Sequence, residues 1–401
     1  MAPQVRVEFQ QMAVSETAPI WRTGFRPFFL LAALSAALWI LAWVGTLHGA
    51  PMLRSRFAPA DWHSHEMVFG YGMAVVAGFL LTAVRNWTRQ ETARGAALIG
   101  LVALWSAARV LNFASAAIPA ALTGLTDAAF AFALAYVIGR PILRARNKRN
   151  YGFIGWMVFM GALNLTAHLL AGAGKGDLVV RTSRVAVDTM MLLIVVVGGR
   201  VIPNFTKFHL KLPEVQTSDA AGWASIISVA LVVAAGVVRP DSILVGVFCV
   251  AAAGANLWRM SSWRTRAAMS SSILFFLHLA YGWLVVGYGL RALVVFTGRW
   301  PASAATHALT VGALGMITFG MMCWVGLAHT GRPVKAATAI NIAYSALFLA
   351  ALIRVFTPII APAHYIASLG YAGGLWALAF VLYLVVYGPI LLGPAMSGRP
   401  D

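Results

Sequence analysis

Twelve runs of about 20 apolar residues follow one another along the chain, each long enough to cross a roughly 30 Å hydrocarbon core as a helix. They lie near residues 27–48, 65–84, 96–115, 119–139, 152–172, 179–199, 220–238, 242–258, 270–290, 304–327, 336–356 and 365–393. Hydrocarbon offers a backbone no hydrogen-bond partners, so such runs must fold as helices that satisfy their own. The expected fold is an all-α membrane protein with one polytopic domain over 1–401. A polar segment 1–26 precedes a helical bundle 27–393, and a short tail 394–401 follows it. Composition closes off the alternatives. With 60% hydrophobic and 10% charged residues, against roughly 25% charged in a soluble domain, the chain cannot cover a water-exposed globule.

The net charge of +18 is not a nucleic-acid signature, because the basic residues sit in short clusters between the apolar runs. About two-thirds of the 30 lysines and arginines fall on the side of the N-terminus, among them Arg85, Arg89, Arg94, Arg140 and Arg144. That bias predicts twelve helices with both termini in the cytoplasm. Cys249 and Cys323 lie inside apolar runs, so no disulfide framework is expected. The stretch from Met1 to Arg26 has no short apolar core followed by a small-residue cleavage site, so the first run is expected to stay in the membrane. Polar turns of similar flavour end the second, sixth and tenth runs, at Asn86-Trp87-Thr88, Pro203-Asn204-Phe205-Thr206 and His329-Thr330-Gly331-Arg332. A period of four helices suggests three pseudo-repeated four-helix units.

Ionisable groups within a membrane are costly and count as functional candidates. Of the nine histidines, six fall near the predicted outer face, including His63, His65, His168 and His307. The densest feature is Trp62-His63-Ser64-His65-Glu66-Met67 at the outer mouth of the second span. Two imidazoles, a carboxylate and a thioether there are ligands for copper or supports for a haem iron. Helix positions two apart do not share a face, so His63 and His65 are expected to serve different neighbours. The bland alternative is an interfacial polar cap with Trp62 as its anchor. His307 opens the tenth span at the level of His65, followed by Gly312 and Gly315, which permit close approach of a helix or a planar macrocycle. His278, flanked by Phe275, Phe276 and Tyr281, lies about 12 Å inside the ninth span. It is either hydrogen-bonded to a neighbouring helix or an axial ligand. His168 has Asn164 one turn before it, and Asp127 and Asp188 are intramembrane carboxylates that pair with arginine, carry protons or bond as neutral acids. No nucleophile elbow, Walker loop, Rossmann glycine pattern or CxxC is present, and without CxxCH any haem is held non-covalently.

Several blocks in order resemble the NnrS family of bacterial membrane proteins over nearly the whole chain. They are Gly24-Phe25-Arg26-Pro27-Phe28-Phe29, Trp62-His63-Ser64-His65-Glu66-Met67, Gly78-Phe79-Leu80-Leu81-Thr82-Ala83-Val84, Gly199-Arg200-Val201-Ile202-Pro203-Asn204-Phe205, His307-Ala308-Leu309-Thr310-Val311-Gly312-Ala313 and His329-Thr330-Gly331-Arg332-Pro333. Arg85 stands where the pattern leads one to expect proline. The resemblance implies a protein of the bacterial inner membrane that contains haem b and copper, tied to denitrification and to relief of nitrosative stress from nitric oxide. It also invites comparison with the haem–copper oxidase and nitric oxide reductase superfamily, whose second and tenth spans hold an outer haem. His65 and His307 match those positions. The comparison stops at copper, because the sixth span has no histidine and the seventh no adjacent pair.

The resulting expectation is a nitric oxide reductase-like oxidoreductase acting in the outer half of the bilayer. Its assigned residues are His65 and His307 as haem ligands, His278 as ligand to a second haem, His63 and His168 as copper ligands, and Glu66 as proton donor. The competing classes are a protein that only binds or buffers nitric oxide or copper, and a twelve-helix secondary transporter.

Overall fold

A computed structural model describes residues 18–50 and 54–396. Twelve helices are long and apolar enough to cross a membrane, and no strand occurs among the described residues. They are α1 (Phe25–Leu47), α2 (Pro59–Thr88), α3 (Ala96–Phe113), α4 (Ala120–Arg144), α5 (Lys148–Gly172), α6 (Gly176–His209), α7 (Asp219–Val238), α8 (Ile243–Ser261), α9 (Ser272–Thr297), α10 (Ala302–Ala328), α11 (Thr338–Ile360) and α12 (Pro362–Leu392). Most of the expected segments 1–26 and 394–401 lies outside the described residues.

Two boundaries differ usefully from the sequence expectation. Helix α2 begins at Pro59, not near 65, because a proline in the first turn gives up no needed N–H. This brings His63 and His65 inside the helix instead of leaving them at its mouth. Helix α6 runs 34 residues, about 51 Å, so both ends project beyond a bilayer core. Arg181 near its start and Lys207 near its end lie in those projections.

Sequence neighbours pack side by side around the bundle, and α12 closes the ring against α1. Within that ring α2, α6 and α10 are the most enclosed spans, with 83%, 72% and 89% of their apolar windows buried. They stand four helices apart, the same period as the recurring polar turns. Close packing there depends on glycine. A Cβ on Gly312 of α10 would lie 2.5 Å from the Trp283 ring of α9. Gly312→Ala is therefore expected to cost about 1–3 kcal/mol through overpacking, read as a lower unfolding temperature in detergent; an unchanged temperature would show that the ring can swing aside.

Both α2 and α10 contain a wide π-helical stretch directly after a histidine, Glu66–Gly72 after His65 and Ala308–Gly315 after His307. Such stretches occur mostly as single bulges, often at functional sites. Here they change which residues face inward immediately below both histidines.

Candidate functional site

Helix α2 presents its two histidines to two different environments. On one side, α2 to α5 bury a polar cluster at the end of the bundle opposite the termini. It consists of His65 and Glu66 from α2, Arg109 and Asn112 from α3, Asp127 from α4, and Asn164 and His168 from α5, none more than 4% exposed. Gly124 allows α5 to approach, since a Cβ there would lie 2.8 Å from the Cβ of His168.

The cluster is held by charge. Arg109 bridges the two carboxylates, donating to Glu66 Oε1 at 2.8 Å and to Asp127 Oδ1. Asn112 donates to Glu66 Oε1 as well. His65 Nδ1 lies 3.3 Å from Glu66 Oε1, and its Nε2 lies 2.9 Å from Asn164 Oδ1 and 3.5 Å from Asp127 Oδ2. His168 Nε2 reaches the same Asp127 oxygen at 3.2 Å. The two imidazoles meet edge to face at 4.9 Å, with Phe57 against both. One donor atom each from His65, Asp127 and His168 falls within 4.8 Å of the others, so the three could hold one metal ion. Two imidazoles and a carboxylate suit copper, zinc or iron. Two carboxylates against one guanidinium leave one negative charge in a dry interior, which a bound cation or a proton on an imidazole balances.

On the other side of α2, a cavity of about 330 Å³ opens between α1, α2, α6 and α10 to α12. His63, Tyr71, His307, Arg354 and Trp376 line it, with Val311 and Leu314 supplying apolar wall. His307 Nδ1 lies 2.7 Å from the Ser303 carbonyl, which can only accept, so Nδ1 carries the proton. In the neutral ring Nε2 then keeps its lone pair, the tautomer a metal-ligating histidine needs. His63 stacks on Trp43 at 4.9 Å and 11°, and its Nδ1 is buried without a partner among the described residues. Arg354 NH1 is likewise buried and unpartnered. Its NH2 makes only a long 3.4 Å bond to the Tyr365 hydroxyl, and no carboxylate among the described residues lies within ion-pair distance.

The structure thus joins His307 with His63 at the cavity, and His65 with His168 and Asp127 in the cluster. His65 and His307, expected to share a haem, sit in these two separate environments. His63 and His168, expected to share copper, are separated in the same way. His278 is fully buried, but its Nε2 lies 2.8 Å from Thr206 Oγ1 and its Nδ1 lies 3.0 Å from Thr265 Oγ1. Both ring nitrogens are engaged, which is the helix-to-helix bonding alternative. Glu66 is at the centre of the cluster with Oε2 unpartnered. Asp188 pairs with Arg291. Arg109 and Arg354 were not singled out from sequence, although an arginine within an apolar run is the same costly signal as an aspartate.

These features define a class: a polytopic, all-helical membrane protein with a buried two-histidine, one-carboxylate metal-ligand group beside a histidine-lined cavity. A family model described as NnrS protein matches residues 19–395. The chain belongs to that family. No curated protein matches it.

Proposed function

We propose that the protein is a haem- and copper-binding, nitric oxide reductase-like protein of the bacterial inner membrane, working in the outer half of the bilayer. The observation that carries this reading is the cavity between His63 and His307. A buried imidazole in the ligating tautomer, a second one with an unpartnered nitrogen and a guanidinium lacking a carboxylate form a donor set suited to a macrocycle with anionic side chains. His307 would hold the iron, His63 would meet the gas in the same cavity, and Arg354 would pair with a propionate. When bound, haem supplies an iron that exchanges single electrons and binds nitric oxide. His65, Asp127 and His168 would hold copper.

The chain's own residues supply the rest. Nitric oxide is neutral and lipid-soluble, so it would reach the cavity without a polar channel. Joining two nitric oxide molecules with two electrons and two protons gives nitrous oxide and water. Glu66 Oε2, buried and unpartnered beside His65 on the cluster side of α2, is the atom we assign to take up and release a proton for this reaction. Family membership supports the link to nitric oxide, and the buried ligand group supports a metal.

The test is an absorption spectrum of detergent-purified protein, oxidised and then reduced, with metal analysis of the same sample. Haem bands that respond to nitric oxide, together with copper, are expected. A colourless, copper-free preparation after expression with haem precursor and copper would overturn the reading. Arg354→Ala is expected to keep the bands but to release haem roughly tenfold more easily, the worth of one charge-assisted hydrogen bond. Equal retention would remove Arg354 from the site.

A further inference from the structure

The block Gly199-Arg200-Val201-Ile202-Pro203-Asn204-Phe205 in the last third of α6 has no part in the function proposed above. It lies where three helices bring arginine to one level of the bundle, on the side of the termini. Arg259, two residues from the end of α8, lies across Gly199, where a Cβ would fall 2.0 Å from its guanidinium carbon. Only glycine admits that approach. Arg259 NH1 donates to the Val195 carbonyl at 2.7 Å, but its Nε has no partner among the described residues and the side chain is 5% exposed. On the other flank of α6, Arg200 donates to Asn150 Oδ1 at the start of α5 over 3.4 Å, beside exposed Arg149. None of Arg149, Arg200 and Arg259 has a carboxylate within ion-pair distance among the described residues. Positive charge gathered there without a counter-ion is costly, and an anion from outside the chain would relieve it.

The same stretch of α6 is open to the lipid. Helices α5 and α7 both pack against α6 and hardly touch one another, so a strip of α6 is left uncovered between them. Leu192, Val196 and Arg200 are half-buried and Asn204 is exposed, one every four residues, and half-buried Lys207 follows. That spacing keeps them on one side of the helix. The strip is apolar over about 12 Å from Leu192 down to Arg200 and basic from there on. Arg200 is about 14 Å from the end of α6, and the helix overhangs a roughly 30 Å core by about 10 Å at each end, so the change falls close to the hydrocarbon edge. Tyr151 in the first turn of α5 and Trp223 in that of α7 are 37% and 64% exposed at this level, as aromatic side chains at a membrane interface are.

We propose that this strip binds one anionic phospholipid of the leaflet on the side of the termini, with its phosphate held by Arg200, Arg149 and Lys207 and an acyl chain laid on Leu192 and Val196 between α5 and α7. The charge selects the headgroup. A zwitterionic lipid brings its own cation and leaves the arginines unbalanced, whereas a net negative headgroup balances them. The apolar half of the strip selects an amphiphile over a soluble anion, which would leave Leu192 and Val196 uncovered. Basic residues anywhere on this side draw anionic lipid at about 1 kcal/mol each. What sets this place apart is Arg259, a buried charge lodged on Gly199 of the same helix. The site owes nothing to the nitric oxide reading and involves no metal.

The test titrates delipidated, detergent-purified protein with dioleoyl phosphatidylglycerol, dioleoyl phosphatidylcholine or inorganic phosphate. Native mass spectrometry counts retained lipid, and the unfolding temperature reports binding to the folded state, which a ligand raises with its concentration over its Kd. Phosphatidylglycerol is expected to be retained at one per chain with a saturable rise in unfolding temperature, and the other two probes to do little. Arg200→Gln should weaken that binding roughly tenfold, about the worth of one charge-assisted hydrogen bond. Lys207→Gln, at the projecting end of α6 where nothing depends on it for folding, should weaken it in the same direction. Arg144→Gln, an equally basic but exposed position at the end of α4, should leave it unchanged. Equal binding of phosphatidylcholine would overturn the proposal, and an equal effect of inorganic phosphate would replace the lipid with a soluble anion. Loss of affinity in Arg144→Gln as large as in Arg200→Gln would reduce the effect to the general attraction of a basic face and remove the site. The result is the same whether or not the preparation holds haem.

Discussion

His307→Ala is expected to abolish the haem spectrum and leave copper in place, whereas His65→Ala and His168→Ala are expected to lose copper and leave the haem bands. This crossed pattern follows from α2 separating two sites. His307 is fixed by its bond to the Ser303 carbonyl and lies at the cavity wall with His63. His65 is not among the residues lining that cavity and instead touches Asp127, Asn164 and His168. Removing a ligand outright should exceed the roughly 10–100-fold loss seen when only a ligand's supporting partner is removed. Haem and copper per protein, measured on purified variants that elute as the wild type does, would decide it. Full haem in His307→Ala, or lost haem with retained copper in His65→Ala, would refute the division.

Arg109→Met should be the most damaging single change to stability, by about 3–5 kcal/mol, because it leaves the Glu66 and Asp127 carboxylates facing one another without a counter-ion. The damage comes from the charges left behind, not from the lost side chain. Adding Glu66→Gln and Asp127→Asn to Arg109→Met should therefore recover much of the loss, although copper binding would still fail without the Asp127 carboxylate. Thermal unfolding in detergent measures both. If Arg109→Met unfolds within a degree or two of the wild type, the cluster is hydrated and its charges are screened.

The number of spans, their order and the level of the histidines were legible because bilayer thickness imposes a length on each helix and burial imposes composition. The side to which each histidine points was not. His63 and His65 are two positions apart on α2, so sequence separates them by face but cannot say which face meets α5 and which meets α10. The π-helical stretches after His65 and His307 deepen that difficulty, since they shift every later residue of those helices around the axis without a compositional mark. Asp127 stood out as a lone carboxylate, but its meaning came from Arg109 on the preceding helix, and only packing brings them together. His278 shows the reverse case. Its depth in an aromatic setting suggested a ligand, and two threonines from elsewhere in the fold engage both of its nitrogens.

One helix forms the wall shared by the buried ligand cluster and the cavity, with only Ser64 between a residue of each. Any ligand that fixes the pitch or rotation of α2 at one site changes what it costs to fill the other, and that influence must be equal in both directions. On the proposed reading, the first group to be inserted would set the affinity for the second. Cells starved of one nutrient metal would then accumulate protein that is poor at retaining the other.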